Sequence, residues 1–401
     1  MKRPSDAWKD YGSWKGFCDS YPNFSAIKFD ALESMISRRR DSMACRVTSS
    51  KFVCGGLNVL FEAVFDDDKV WLCRAGWIGD EYSSTFLETM MYTTVTAMRY
   101  LAENSSLRIP EVYAYEGNKN EIGAPYMLLE PLEGLSYMDM LELPDFEVDE
   151  FRIDENVAKV MLQLSQITFP AIGWLYETSD GVQVGPIVDY SGVKHGPFNT
   201  SVEYFSWRAK QASEIQHTWK AECEESALKS DFVCWLFTQA APMLSERNDG
   251  PFPLMHPDAW GQQLLMDKDY TVHGVVDWDE ASTVPWLEFC TYPSNMKWLI
   301  HRFENNEYNP KVVQLIKESR EQYRLSLNQG GFDDSLLKLV GSKEAQVADC
   351  LIHFSNPVYK YEGRTVFEFL FGSTEGFEEF RDRKKSGWML VSDSKGKCKH
   401  G

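Results

Sequence analysis

The sequence predicts an α+β protein of two lobes, and three observations carry that expectation. Alternating apolar segments bounded by turn residues fill the first third of the chain. Helical periodicity dominates most of the remaining two thirds. Between the two, a short stretch marked by Pro131 and Gly134 reads as a hinge near residue 130. A chain of 401 residues with 43% hydrophobic content can bury two substantial cores.

Residues 1–45 are polar and aromatic, with a helical patch near 26–38, and are read as an N-terminal extension. Residues 46–131 form the first lobe. Strands are predicted at 51–54, 59–65 and 70–74, the last two joined by the turn Asp66-Asp67-Asp68-Lys69. Gly55 and Gly56, between the first two strands, allow backbone to approach a ligand closely, although a plain hairpin needs nothing more. Residues 83–104 carry apolar positions near helical spacing (Phe86, Met90, Val95, Met98, Leu101). Two further strands, 111–115 and 126–130, lead to the hinge. Residues 132–385 form the helical lobe, with helices at 157–167, 202–226, 231–244, 310–327, 335–354 and 365–383, and short β-like pieces within 171–188. A polar tail, 386–401, closes the chain.

Charge and cysteine usage narrow the function. Forty-one basic residues against 60 acidic give a net charge of −19, which argues against nucleic acid as a partner because clustered cations are needed there. An acidic surface is compatible with a cationic small-molecule partner, and otherwise serves solubility. The nine cysteines include no Cys-x-x-Cys pair and are odd in number, as in a reducing compartment. The first residues hold no apolar targeting core, and no apolar run approaches the roughly 18 residues of a membrane span. We therefore expect a cytoplasmic protein with no membrane partner.

Residues 254–286 organise the rest. His256 and Asp258 sit in a turn, the apolar run 264–266 comes next, and after Asp267-Lys268-Asp269 an alternating strand, 270–276, delivers Asp277. Two aspartates at the mouth of a hairpin suit phosphoryl transfer: one accepts the proton of an acceptor hydroxyl, the other ligates Mg²⁺. Asp279 and Glu280 read equally as an acidic floor or a solvated loop. Trp260, Trp278 and Trp286 read first as core packing, and second as a surface for stacking on a flat or cationic substrate.

Several stretches, in order, carry a resemblance. They are Phe52-Val53-Cys54-Gly55-Gly56-Leu57-Asn58-Val59, Ile109-Pro110-Glu111-Val112-Tyr113-Ala114-Tyr115, Ile122-Gly123-Ala124-Pro125-Tyr126-Met127-Leu128-Leu129-Glu130, Gly196-Pro197-Phe198-Asn199 with Glu203-Tyr204-Phe205, Gly250-Pro251-Phe252-Pro253-Leu254, and 254–286 itself. Together these resemble the aminoglycoside phosphotransferase and choline kinase-like family of the protein-kinase-like fold, in particular its fungal branch. The resemblance implies ATP or GTP with Mg²⁺, and a small-molecule acceptor, an alcohol or amino alcohol, in secondary metabolism. It gives Gly55, Gly56 and Asn58 to the nucleotide phosphates, Arg74 to the α- and β-phosphates, and the hinge at Glu130 to the base. It makes Asp258 the proton acceptor, His256 its brace, and Asp277 with the residue at Gln263 the metal ligands.

Three positions depart from the family's pattern. Gln263 stands where Asn is usual, which displaces the amide by about one C–C bond, roughly 1.5 Å. Arg74 replaces Lys, and a guanidinium fork is not a point charge. Thr94 occupies the helix position of the Glu that pairs with that cation, and Glu88 lies on another face unless the alignment shifts by a turn. The sequence thus supports a phosphotransferase first. The alternatives are a catalytically degenerate kinase-fold protein serving as a binding protein in a biosynthetic pathway, or an enzyme doing proton chemistry without nucleotide.

Overall fold

The computed structural model describes residues 4, 8, 10, 12–76, 82–117, 120–218, 224–296, 309–352 and 360–383. The chain divides into two compact units. The first comprises 1–167, 173–197 and 254–283; the second comprises 168–172, 198–253 and 284–401.

The first unit is built on a five-stranded antiparallel sheet of β1 (Cys45–Cys54), β2 (Asn58–Phe65), β3 (Val70–Gly76), β4 (Val112–Glu116) and β5 (Tyr126–Leu129), in the order β1-β2-β3-β5-β4. Strand β1 begins at Cys45, six residues before the predicted start, because Cys45, Arg46 and Val47 pair with Phe65, Val64 and Ala63 ahead of an irregularity between Val47 and Phe52. The polar stretch Thr48–Lys51 hid that continuity from the alternation pattern.

One face of the sheet is sealed by the N-terminal residues. Helix α1 (Trp14–Ser20), absent from the sequence expectation, is capped by the Ser13 hydroxyl accepting from Gly16 N–H at 3.1 Å. Helix α2 (Phe29–Arg39) follows the predicted patch closely. Phe17, Phe24, Leu32 and Ile36 join Phe52, Val59, Phe61 and Phe65 in one buried cluster. Trp14 meets the Phe52 and Phe61 rings edge-on at 5.2 Å each. Residues 12–44 therefore complete the core of the sheet.

Helix α3 (Ser84–Asn104) is capped by the Ser83 hydroxyl, which accepts from Phe86 N–H at 3.0 Å. It buries Phe86, Met90, Val95, Met98 and Leu101 as their spacing predicts, and Thr93 and Thr94 as well. The helix Glu150–Leu164 starts earlier than expected, its first turn capped by Asp149. Where looser structure was expected, Gly173–Thr178 and Gly181–Gly185 form a regular hairpin. Trp174 and Gly173 of that hairpin pair with Ser282 and Thr283, which in turn pair with Met255 and Leu254. The backbone entering His256 and the backbone leaving Asp279 are thereby neighbours. A second hairpin, Leu264–Met266 with Val272–Val275, lies between them in sequence.

The second unit is mainly helical, with Ser201–Thr218, Glu224–Ala240, Trp286–Phe289, Pro310–Gln329, Asp334–Leu337, Lys343–Ile352 and Lys360–Phe371. Two expected helices are each interrupted by a break at a glycine of positive φ. The stretch 335–354 is interrupted between Leu337 and Lys343, a break that contains Gly341, whose φ of +69° is left-handed and where a β-carbon would run into the Tyr292 ring. The helix expected over 365–383 is interrupted after Phe371, at Gly372 with φ +80°, and helical structure resumes over 377–383. Of the helix expected over 202–226, residues 202–218 and 224–226 are helical; residues 219–223, and the predicted tail, lie outside the described residues.

Among the described residues no helix is long and apolar enough to cross a membrane. The seven described cysteines are all free thiols, five of them buried.

Candidate functional site

Most of the residues singled out from the sequence converge within the first unit. The strand Phe252–Met255 ends at His256, which is fully buried with its ring 4.6 Å from that of Trp278. His256 has both nitrogens engaged. Nδ1 accepts from the Asp258 N–H at 3.1 Å, and Nε2 lies 2.9 Å from the Val276 carbonyl. A carbonyl can only accept, so Nε2 carries the proton and the ring is neutral. Burial pushes its pKa below the ordinary histidine range, against the opposing pull of the Val276 carbonyl and the nearby carboxylates. His256 is thus a brace between two loops, with no ring nitrogen left to act as an acid.

Asp258 is half-buried. Its Oδ2 accepts from Trp260 Nε1 at 3.2 Å and from Gln263 Nε2 at 3.0 Å. The additional methylene of Gln263 thus lets its amide reach the carboxylate. Val276 N–H donates to the Gln263 carbonyl at 2.9 Å, closing a second tie between the two loops. Gln262 takes a different role: its side chain accepts from Met138 N–H at 3.1 Å.

Asp277 follows the strand Val272–Val275 and adopts φ +63°, a left-handed conformation that Asp tolerates better than most residues. Its carboxylate is half exposed at the rim of the site. Partial desolvation pushes its pKa above the usual carboxylate range; Arg74 opposes this, while the negative charge of Asp279 adds to it. Arg74 Nη2 lies 3.2 Å from Asp277 Oδ1.

The main partner of Arg74 is Asp279. Nη1 donates to Oδ1 at 2.9 Å and Nη2 donates to Oδ2, a bidentate pair. Asn58 Nδ2 donates to Asp279 Oδ2 at 3.2 Å, and Thr94 Oγ1 lies 3.2 Å from Oδ1. Burial alone would weaken the Arg74 charge, but Asp279, and more weakly Asp277, hold the guanidinium above its ordinary range. Asp279 is therefore neither a solvated loop residue nor an open acidic floor. The pairing escaped sequence reading because its partners are 205 positions apart; the only local signal was an unexplained acid two residues beyond Asp277.

The glycine turn sits at the β1–β2 end of the sheet, with Gly55 N–H donating to the Asn58 carbonyl at 2.8 Å. A side chain on Gly56 would meet nothing within 4 Å. A pocket next to Arg74 is lined by Leu57, Asn58, Met90, Pro125 and Met127. Glu130 is held by other partners: its carboxylate pairs with Arg108 and accepts from Glu111 N–H at 3.2 Å. Glu88 packs against Gly117. Of the three tryptophans, Trp278 is core in this unit and Trp286 is core in the second, its Nε1 donating to the Pro251 carbonyl at 2.8 Å, whereas Trp260 faces Asp258.

No group of three or more His, Cys, Asp and Glu side chains gathers as a metal centre among the described residues. Oxygen donors of the kind a hard cation prefers are nevertheless present. Asp277 offers a half-exposed carboxylate, and the Gln263 amide keeps its oxygen while its nitrogen serves Asp258.

Comparison with known proteins gives four matches. Residues 93–288 match the sequence model of the Phosphotransferase enzyme family. "Clavilactone A biosynthesis cluster protein Y" of Ampulloclitocybe clavipes is 22% identical over 353 residues, covering 79% of this chain and 85% of that protein. "Subtelomeric hrmA-associated cluster protein AFUA_5G14880" of Aspergillus fumigatus is 37% identical over only 94 residues, 22% of this chain and 18% of that one. Among solved structures, a Thermobifida fusca protein described as a fructosamine-3-kinase aligns with a TM-score of 0.51 at 11% identity, covering 84% of this chain and 99% of its own. The fold is the protein-kinase-like fold of these phosphotransferases.

Proposed function

We propose, because residues 93–288 match the sequence model of the Phosphotransferase enzyme family, that this protein transfers the terminal phosphoryl group of ATP or GTP to a hydroxyl of a small molecule. One observation carries the reading: Asp258 and Asp277 are tied to each other through His256, Gln263 and Val276, with the Arg74 guanidinium bonded to Asp277.

In this reading Asp258 accepts the proton of the acceptor hydroxyl as its oxygen attacks the terminal phosphorus, and the nucleoside diphosphate leaves. An alcohol is a poor nucleophile at neutral pH, which is why a fixed base is needed. Trp260 and Gln263 orient the carboxylate. Asp277 and the Gln263 amide oxygen would hold Mg²⁺, which neutralises phosphate charge when bound. The backbone of Gly55 and Gly56, with Asn58 and Arg74, would face the phosphates, and the hinge at Glu130 the base. The acceptor is a small alcohol or amino alcohol. The name of the Ampulloclitocybe clavipes relative supports a place in a biosynthetic pathway, and we expect the protein to work in the cytoplasm.

The test uses release of ADP from MgATP, with water or a panel of alcohols and amino alcohols as acceptor. Asp258→Asn should lower turnover by roughly 10²-fold or more and leave MgATP binding intact. Undiminished turnover in that variant would sink the proposal. Thr94 and Gln263, standing where Glu and Asn are usual, favour a second reading as a silent nucleotide-binding protein. That reading predicts MgATP binding with no turnover on any acceptor.

A further inference from the structure

We propose that Asp279 is the positioning residue of Arg74, doing from the loop after Asp277 what a helix carboxylate does where position 94 is Glu. The inference rests on the phosphotransfer reading above, because it assigns Arg74 to the nucleotide's phosphates.

The bonding of Asp279 carries the argument. A carboxylate has about four lone-pair sites. Here Arg74 Nη1 and Thr94 Oγ1 reach Oδ1, while Arg74 Nη2 and Asn58 Nδ2 reach Oδ2. Each oxygen has two partners, so the group is saturated. It has no capacity left for a cation, unlike the neighbouring Asp277, which is half exposed and meets only Arg74 among these residues. The side chains of Asp279 and Arg74 are 13% and 15% exposed, so their attraction is poorly screened.

Three elements converge on this one carboxylate: β2 through Asn58, β3 through Arg74, and α3 through Thr94. Thr94 is too short to pair with Arg74 itself. Its hydroxyl instead steadies the acid that does, so the apparent loss of the helix Glu is a relocation of the negative charge. The fork is fixed in direction at both nitrogens, and Nη2 also touches Asp277. Arg74 is therefore aimed along the same edge as the proposed cation ligand.

A double-mutant cycle on the full-length protein separates this role from a structural one. MgATP affinity is measured by calorimetry for the wild type, Arg74→Gln, Asp279→Asn and the double variant, with urea unfolding of each ligand-free protein as a check on folding. If Asp279 acts through Arg74, each single change weakens MgATP binding by about tenfold or more. The double variant is then no weaker than Arg74→Gln alone. Thr94→Glu placed in the Asp279→Asn background supplies a helix carboxylate and should recover part of the lost affinity. Additive losses in the cycle would overturn the proposal, because Asp279 would then contact nucleotide or cation independently. So would stability losses in Asp279→Asn with MgATP affinity unchanged, which would make the pair purely structural. A wild-type protein that binds neither MgATP nor MgGTP would overturn the phosphotransfer reading itself, and this inference with it.

Discussion

Shortening Gln263 by one methylene separates two ways in which the turn bearing Asp258 can serve the proposed reaction. In Gln263→Asn the amide withdraws by about 1.5 Å, which takes its 3.0 Å bond to Asp258 beyond hydrogen-bonding reach. A hydrogen bond to an ionised group contributes about 1.5–3 kcal/mol. Asp258 is half-buried and keeps the Trp260 indole as a donor, so the lower end applies. If that energy orients the base in the transition state, about 1.4 kcal/mol corresponds to a tenfold change in rate. Basal ADP release from MgATP by Gln263→Asn should therefore fall about tenfold, and the Mg²⁺ concentration needed for half-maximal rate should rise. Calorimetry should find nucleotide affinity at saturating Mg²⁺ changed by less than about twofold. A rate equal to or above wild type would refute the reasoning. It would mean that the Gln263 side chain obstructs the site, and that the Asn usual at this position restores a degraded loop.

The same geometry yields three further outcomes. Partial burial and a neighbouring acid raise the Asp277 pKa above its unfolded value, so the stability it contributes is present at low pH and lost as pH rises through the folded value. Asp277→Asn should accordingly melt higher than wild type at neutral pH without ligand, yet lose the Mg²⁺-dependent stabilisation by ATP; a lower ligand-free melting temperature would contradict the sign. His256 has the opposite linkage: burial depresses its pKa, so its contribution is present above about pH 6.5, the unfolded value, and is lost as pH falls below it. Urea midpoints taken between neutral and mildly acidic pH should fall for wild type and change less for His256→Gln. Phe17→Ala should cost about 3 kcal/mol by urea denaturation, because its ring lies within the core beneath the sheet; a loss below about 0.5 kcal/mol, the scale of a surface substitution, would show that the N-terminal residues are dispensable.

Sequence pattern reached the parts of this protein that depend on local periodicity. Strands β2 and β3, helix α3 and the hairpin carrying Asp277 all have regular apolar spacing and clear turn residues, and all lie close to where that spacing puts them. Helix α1 has seven residues with few apolar positions, too short for a periodic signal; its rings acquire meaning only against Phe52 and Phe61. In the second unit the periodicity of 335–354 continued through Gly341, and only the left-handed backbone there, with the Tyr292 ring leaving no room for a side chain, shows that a break between two helices is built at this point. At the site, the positions of Asp258 and Asp277 were legible from their hairpin. The counter-ion of Arg74 was not, since no pattern within a window can link Arg74 and Thr94 to Asp279. Gln263 looked like a misplaced ligand in the sequence, and the bond its nitrogen makes to Asp258 supplies a reason for its length.

The ties through His256 have a mechanical consequence. One imidazole joins the turn bearing Asp258 to the carbonyl immediately before Asp277, and the Gln263–Val276 bond repeats the link a few ångströms along. The two aspartates are thus mounted on a single frame, with a buried ring as its crosspiece. Their spacing is set when the chain folds, so a reactant arriving between them would find the frame already cut to size and would surrender only its own freedom of movement.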